Sequence, residues 1–458
     1  MRLATIRIAI IGSGMSSHLL CANLLKGRWD VDLDITVIDK EPRDKVGFAY
    51  ATDERSHLLN VVASSMSIDN DRQEDFVDWL TEKGYPGDGR SYVPRGLYRN
   101  YVLDRSGELI SGNRANAKFT FIHDQAVDIL MDKKVILLKS GQEVRFDKGV
   151  LAIGNFQKTQ LKMYDGSYTD IRTYSNWYTG VDKDLSRSGT VFIVGTGLTM
   201  ADAVLSLNAG GFEGQVVALS RRGLMPIPES GAKAYPSFYS EVEGLDKVLD
   251  IFKVIRSKMS GLPDGRMDAG PVVDSLRPHI LEVWMKLSMW ERKDFLEHLS
   301  PIWNMCRHRI PRESFEVIKR WVECGRLKIV SGRIAAIGKK AEGNYVIEYL
   351  KRQTRERVRI NADAILNCMG PELDYSKVDC PLVKRLIAKG IVIPDSLQLG
   401  LQCCQDGSLT DRAGHSSTSL YTLGATRRGI VWESTAVPEI REQARKLSGI
   451  LVSNSYYG

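Results

Sequence analysis

Residues Ile6 to Gly12 (IRIAIIG) are apolar almost without a break, which predicts a strand buried on both faces. Met15 to Lys26 reads as a helix, and Asp32 to Asp39 (DLDITVID) as a second strand, so the chain opens on a βαβ unit. A helix is expected over residues 72–83, with Phe76, Val77, Trp79 and Leu80 on one side. Phe119 to Ile122, Val135 to Leu138 and Gly149 to Gly154 read as strands. The opening pattern then repeats: a strand from Thr190 (TVFIVGTG), a helix from Leu198 to Ala209, and a strand from Gln215 to Ser220. From about 225 to 325 the chain is rich in Trp, Met, Lys and Glu at helical spacing, and a helical insertion is expected there. Strands return at Leu327 to Val330, Tyr345 to Tyr349, Val358 to Ile360 and Ala364 to Cys368, and residues 438–450 read as an amphipathic helix.

Length turns two βαβ units into two domains. At 458 residues the chain exceeds the roughly 250–300 residues at which a single core stops growing. The net charge of +7 is small for this length and suits anionic cofactors or substrates. With no basic tail, it gives no argument for nucleic acid. The apolar run Ile8 to Ile11 is too short for a signal-peptide core, and no stretch reaches the 18 apolar residues or so of a membrane span. The seven cysteines include no C-x-x-C, which argues against a disulfide framework and a redox-active dithiol and leads us to expect a cytoplasmic protein. Adjacent Cys403 and Cys404 read as strand residues facing opposite sides. No His, Cys or carboxylate cluster has metal-ligand spacing, so no metal is expected. Neither G-x-S-x-G nor a P-loop lysine is present, which leaves acyl transfer and nucleotide hydrolysis unsupported.

The candidate chemistry sits where each first strand ends. Gly12-Ser13-Gly14-Met15-Ser16-Ser17 offers a tight turn at Gly12, close approach at Gly14 and a helix N-terminus for a dinucleotide diphosphate. Ser17 stands in the third position, normally Gly or Ala, and Asp39 stands where an acid holds the ribose hydroxyls. In the second unit, Gly195-Thr196-Gly197-Leu198-Thr199-Met200 repeats the turn, with Met200 expected to push the helix from its strand unless Ala201 takes the packing role. The next strand ends in Ser220-Arg221-Arg222 rather than an acid. Arginine there pairs with a 2′-phosphate and selects NADP over NAD; the bland alternative is two solvated side chains. Two nucleotide units imply FAD in the first and NADPH in the second.

Segments along the whole chain then become recognisable: Val46 to Tyr50 (VGFAY), His57 to Ala63 (HLLNVVA) with Met66 and Ser67, Tyr92 to Tyr98 (YVPRGLY), Leu151 to Asn155, Gly195 to Asp202, Ala218 to Pro226, Trp303 with Arg307 to Arg309, Asn367 to Pro371, Leu423 to Ala425, and Trp432 to Glu439 (WESTAVPE). By these the chain resembles a family of bacterial FAD/NAD(P)-binding proteins distantly similar to the flavin-dependent N-hydroxylating monooxygenases. The resemblance implies an α/β fold of two Rossmann-like domains: an FAD domain over 1–158 and 371–458, split by an NADPH domain over 159–370 that carries the helical insertion. It implies that Gly47 to Asn60 follow the FAD ribose toward the flavin, with Asn60 and Met66 near flavin and nicotinamide, though Met66 also suits a core position. Gly424 would approach the flavin, and a helix N-terminus at Trp432 to Ala436, with Thr435, would face its pyrimidine end. Ala425 stands where many flavoproteins carry a ribitol-binding aspartate.

Trp303 to Arg309 (WNMCRHR) gathers two arginines, a histidine and a tryptophan, and Arg307 and His308 are the candidates on the substrate side. Against this stands the reading that Arg307 and Arg309 pair with acids on neighbouring helices. The function implied is a single-component monooxygenase that oxygenates a nitrogen, or another nucleophile, of a small acidic metabolite with NADPH and molecular oxygen. A reductase serving an organic acceptor or partner, and a non-catalytic redox sensor, remain open, as does a homo-oligomer.

Overall fold

The computed structural model describes residues 4–112, 116–172, 188–229, 231, 233–262, 269–340 and 344–453. They form two compact units, one of residues 1–53, 61–156 and 372–458, the other of residues 54–60 and 157–371. Each is built on a six-stranded sheet with a parallel βαβ start.

In the first unit the strand Thr5–Ile11 lies between Asp32–Asp39 on one side and Lys148–Leu151 on the other, parallel to both. Pairing on both edges and packing on both faces explain its apolar run, broken by half-buried Arg7, which pairs with Asp147. Ala117–His123 extends the sheet beyond Asp32–Asp39, and Ser416–Thr422 extends it beyond Lys148–Leu151, again parallel. The helices Met15–Lys26 and Arg95–Gly112 pack together on one face. A three-stranded antiparallel meander, Ala126–Leu130, Val135–Leu138 and Glu143–Arg145, joins the helix Pro381–Ala388 in a core around Ile38, Ile136, Phe146 and Leu382.

In the second unit Ala364–Asn367, Thr190–Val194, Gln215–Ser220 and Leu327–Lys339 run parallel in that order. Leu327–Lys339 is far longer than its apolar start suggests. Its first residues pair with Gln215–Ser220, and from Gly332 on it forms an antiparallel ladder with Tyr345–Lys351. Among its described residues the expected insertion carries a series of helices, from Tyr239–Val242 to Arg312–Glu323. Its last helix returns to Leu198–Ala209, where Trp321 Nε1 donates to Asn208 Oδ1 at 3.1 Å. One turn, Phe295–Leu299, is π-helical, between Met289–Asp294 and Ser300–Arg307.

Three local expectations change. Met200 does not displace its helix: it is fully buried in the core with Val191, Ala201, Ala203 and Val204, because the small residues beside it leave room for its flexible chain. Cys403 is buried and Cys404 exposed, as opposite facing requires, but they lie in an irregular extended stretch rather than a strand. The C-terminal helix runs Val437–Ser453, so Trp432 to Ala436 precede it. No described helix is long and apolar enough to cross a membrane.

Candidate functional site

Both units make the same turn from the same parts. The Gly12 N–H donates to the Ile38 carbonyl at 2.8 Å, and the Gly195 N–H to the Leu219 carbonyl, also at 2.8 Å. Gly12 has φ +106° and Gly195 φ +113°. A Cβ at Gly12 would collide with the Ala152 carbonyl, and one at Gly195 with the Cys368 carbonyl. These first glycines are thus demanded by the fold. Gly12→Ala or Gly195→Ala should cost roughly 3 kcal/mol or more, from a left-handed backbone plus a clash. Urea unfolding of each variant measures it, and wild-type stability in either would refute the reading.

The second glycines differ. Gly14 has φ −75° and ψ −176°, extended backbone open to any residue. A Cβ on it would meet only the Gly47 Cα, at 3.7 Å, and one on Gly197 would meet nothing within 4 Å. The folded chain needs neither glycine, so the space before each belongs to something else. The helices they precede, Met15–Lys26 and Leu198–Ala209, have no side-chain cap and no acid in the first turn. The N-terminus of each is left uncapped and electropositive, which fits a dinucleotide diphosphate. Around the first, the chain closes in: a Cβ at Gly47 (φ +85°) would lie 3.1 Å from the Gly14 Cα, and one at Gly424 (φ +77°) would strike the Ser16 hydroxyl.

Asp39 ends the strand on one side of Gly12. It accepts from the Ser13 N–H at 2.6 Å, the Ser13 hydroxyl at 2.9 Å and the Glu41 N–H at 2.9 Å. Ala152 and Gly424 follow the strands on the other side. Since the turn glycines bond to Ile38 and Leu219, Ser220 corresponds to Asp39. Its hydroxyl accepts from Thr196 Oγ1 at 2.8 Å and from the Gly223 N–H at 2.9 Å. A neutral hydroxyl therefore replaces the carboxylate. Ser13 and Thr196 occupy the variable positions of the two turn motifs, where their pairing is not visible from the sequence. Arg221 beyond it is exposed, while the Arg222 guanidinium donates to the Glu297 carbonyl in the π-helical turn at 2.9 Å.

Other candidates are placed as follows. Ser17 is buried in the first turn of its helix. Met66 is buried in the first unit, its N–H on the Ala63 carbonyl, whereas half-buried Asn60 belongs to the second unit. Ala425 is buried and Thr435 exposed, two residues before the C-terminal helix. In the insertion, Arg309 is committed to structure: it meets Glu229 at 2.6 Å and Asp274 at 2.5 Å. Arg307 is buried at the end of Ser300–Arg307, and half-buried His308 follows as its C-cap. Among the described residues no group of three or more His, Cys, Asp or Glu could hold a metal ion.

Behind the first turn, Ser13, Ser17, His18, Arg43, Ser106 and Phe119 line a recess. The His18 ring lies 3.0 Å from Ser106 Oγ. Burial, together with the Arg43 guanidinium, pulls its pKa from 6.5 to about 4. Below pH 6.5 the unfolded chain binds a proton that folded His18 refuses. Its neutral form therefore keeps full stability above that pH, and stability falls toward pH 4, by about 3 kcal/mol at 1.36 kcal/mol per pH unit. His18→Asn should flatten that part of the pH dependence of urea unfolding; an unchanged slope would exclude His18.

Residues 9–156 match the FAD-NAD(P)-binding family. No curated protein sequence matches the chain. The fold is shared with solved structures at low identity. An ornithine N-hydroxylase of Kutzneria sp. 744 superimposes with a TM-score of 0.63 at 13% identity, over 98% of this chain and 99% of that one. L-lysine 6-monooxygenase from Pseudomonas syringae gives 0.60 at 14%, over 97% and 99%. Ornithine hydroxylase from Pseudomonas aeruginosa gives 0.60 at 12%, over 98% and 99%.

Proposed function

With residues 9–156 a FAD-NAD(P)-binding domain, we propose that the chain is a FAD-dependent, NADPH-using monooxygenase that oxygenates a nitrogen of a small acidic metabolite. One observation carries this reading: the turn is duplicated, with Asp39 at the first and Ser220 followed by Arg221 at the second. Asp39 suits ribose hydroxyls, and a hydroxyl beside an exposed guanidinium suits a 2′-phosphate. Gly12, Gly14, Ser17 and Gly47 would surround the FAD diphosphate, with the adenosine ribose toward Asp39, and Gly424 would approach the flavin. Gly195 and Gly197 would receive the NADPH diphosphate. Bound there, FAD would supply the hydride acceptor and the reaction with oxygen, while the protein supplies orientation and electrostatics. The whole-length likeness to ornithine and lysine hydroxylases supports the choice of nitrogen. Arg307 and His308, with Asn60 and Met66, are the residues proposed to meet substrate and flavin.

The test is oxygen uptake and NADPH oxidation across a panel of amino acids and amines, with product mass. Substrate-coupled uptake that adds one oxygen to the product supports a monooxygenase. NADPH oxidation that needs an added electron acceptor, or none at all, overturns it in favour of a reductase or a sensor.

A further inference from the structure

The segment from Gly424 to Ser434 is a loop tied at its mouth. The Gly424 N–H donates to Gln443 Oε1 at 2.9 Å, Gln443 Nε2 donates to Ser434 Oγ at 3.1 Å, and the Ser434 hydroxyl donates to the Gly424 carbonyl. Within it the Ile430 and Val431 N–H groups donate to the Arg427 carbonyl at 2.9 and 2.8 Å. So braced, the loop holds the Arg428 guanidinium 4.6 Å from the centre of the buried Trp432 ring. Arg428 Nε is closed off from water and has no hydrogen-bond partner among the described residues. Burial lowers the pKa of this guanidinium, and the Glu433 carboxylate only partly offsets that. Its buried neighbour Arg427 donates from Nη2 to the Gln405 carbonyl, although its Nε is likewise without a partner among the described residues. Arg428 is half-buried, and a cation with a water-excluded, idle donor costs free energy unless something supplies the missing charge.

The order of strands suggests what does. Asp39 lies to one side of Gly12, so a dinucleotide with its adenosine ribose there must extend its other half across the ends of Lys148–Leu151 and Ser416–Thr422. Gly424 opens the loop that follows the second of these strands. We propose that Arg428 faces the pyrimidine end of the isoalloxazine and holds the negative charge that gathers there when the flavin is reduced. This role is distinct from binding the cofactor. Hydride transfer brings two electrons and one proton, which leaves one negative charge on the ring. A fixed cation therefore binds the reduced ring more tightly than the oxidised one, and raises the potential. The inference rests on FAD lying along these strand ends, as proposed above.

The test compares wild type, Arg428→Gln and Arg428→Lys as flavin-loaded protein, by midpoint potential against free FAD in the same buffer. Arg428→Gln should lose about tenfold in the preference for reduced over oxidised flavin, about 30 mV for a two-electron couple. Arg428→Lys should stay within about threefold of wild type, since it keeps the charge. A purely structural role would weaken both redox states alike and leave the potential unmoved. Flavin retained in Arg428→Gln at the wild-type potential overturns the proposal. Should that variant not hold flavin, Arg428→Met, which keeps apolar bulk over Trp432, takes its place with the same two outcomes. Loss of flavin in all three, Lys included, makes Arg428 a packing residue and overturns it too. A wild type that binds no flavin at all refutes instead the placement of FAD.

Discussion

Gly14→Val should leave the chain folded and empty its first site of FAD. The backbone at Gly14 is extended, so valine is tolerated there, and its nearest neighbour across the turn is the Gly47 Cα, 3.7 Å from the added Cβ. The branched side chain would instead fill the space before the helix Met15–Lys26, where a diphosphate must approach the N–H groups. Forcing extra carbons into a filled site costs typically about 1–3 kcal/mol, occasionally more, so FAD affinity should fall by roughly 100-fold. The readout is flavin retained after desalting, then FAD titration, with urea unfolding as the folding control. Full flavin occupancy in the variant would reduce Gly14 to a turn residue. The contrast with Gly12 is part of the prediction, because there alanine should damage the fold itself.

Arg221→Ala should weaken NADPH by roughly 10- to 100-fold and leave NADH almost unchanged. Hydrogen bonds to charged groups contribute about 1.5–3 kcal/mol, and each 1.4 kcal/mol is about tenfold. Of the two arginines, Arg221 is exposed beside Ser220, while Arg222 already donates to the Glu297 carbonyl. The larger effect therefore falls on Arg221, and Arg222→Ala should match it or do less. The loss should appear in KM for NADPH and shrink at high salt, where exposed charges are screened. Stopped-flow reduction of the flavin with each nicotinamide measures it. An unchanged NADPH preference in the double alanine variant would make both arginines surface charges.

Where strong pattern and local chemistry agree, the fold is legible in the sequence. Met15–Lys26, Asp32–Asp39, Val135–Leu138, Leu198–Ala209 and Gln215–Ser220 run as their periodicity and glycine punctuation require. The long helix Arg95–Gly112 escapes that reading because its buried stripe is Tyr98, Tyr101, Val102 and Ser106, helical in spacing but with a single aliphatic residue. Ser416–Thr422 escapes for a similar reason: four of its seven residues are buried, yet serine and threonine mask the strand. The C-terminal helix, Val437–Ser453, begins where its pattern and Pro438 place it, and not at Trp432 to Ala436 as the resemblance implies. The candidate site shows the same divide. Glycines and strand-end charges announce the two turns. The hydroxyl pairing of Thr196 with Ser220, the ion pairs that occupy Arg309 and the braced loop around Arg428 depend on contacts between distant parts of the chain, which no local pattern records.

FAD in the first unit should be reduced by NADPH from the second. An anaerobic titration of the purified protein, followed by flavin absorbance, tests it most directly. The purified protein should be yellow, with its absorbance bleached by NADPH well before NADH does so at equal concentration. A colourless protein that neither retains nor rebinds FAD, or a bound flavin that NADPH leaves oxidised, would contradict it.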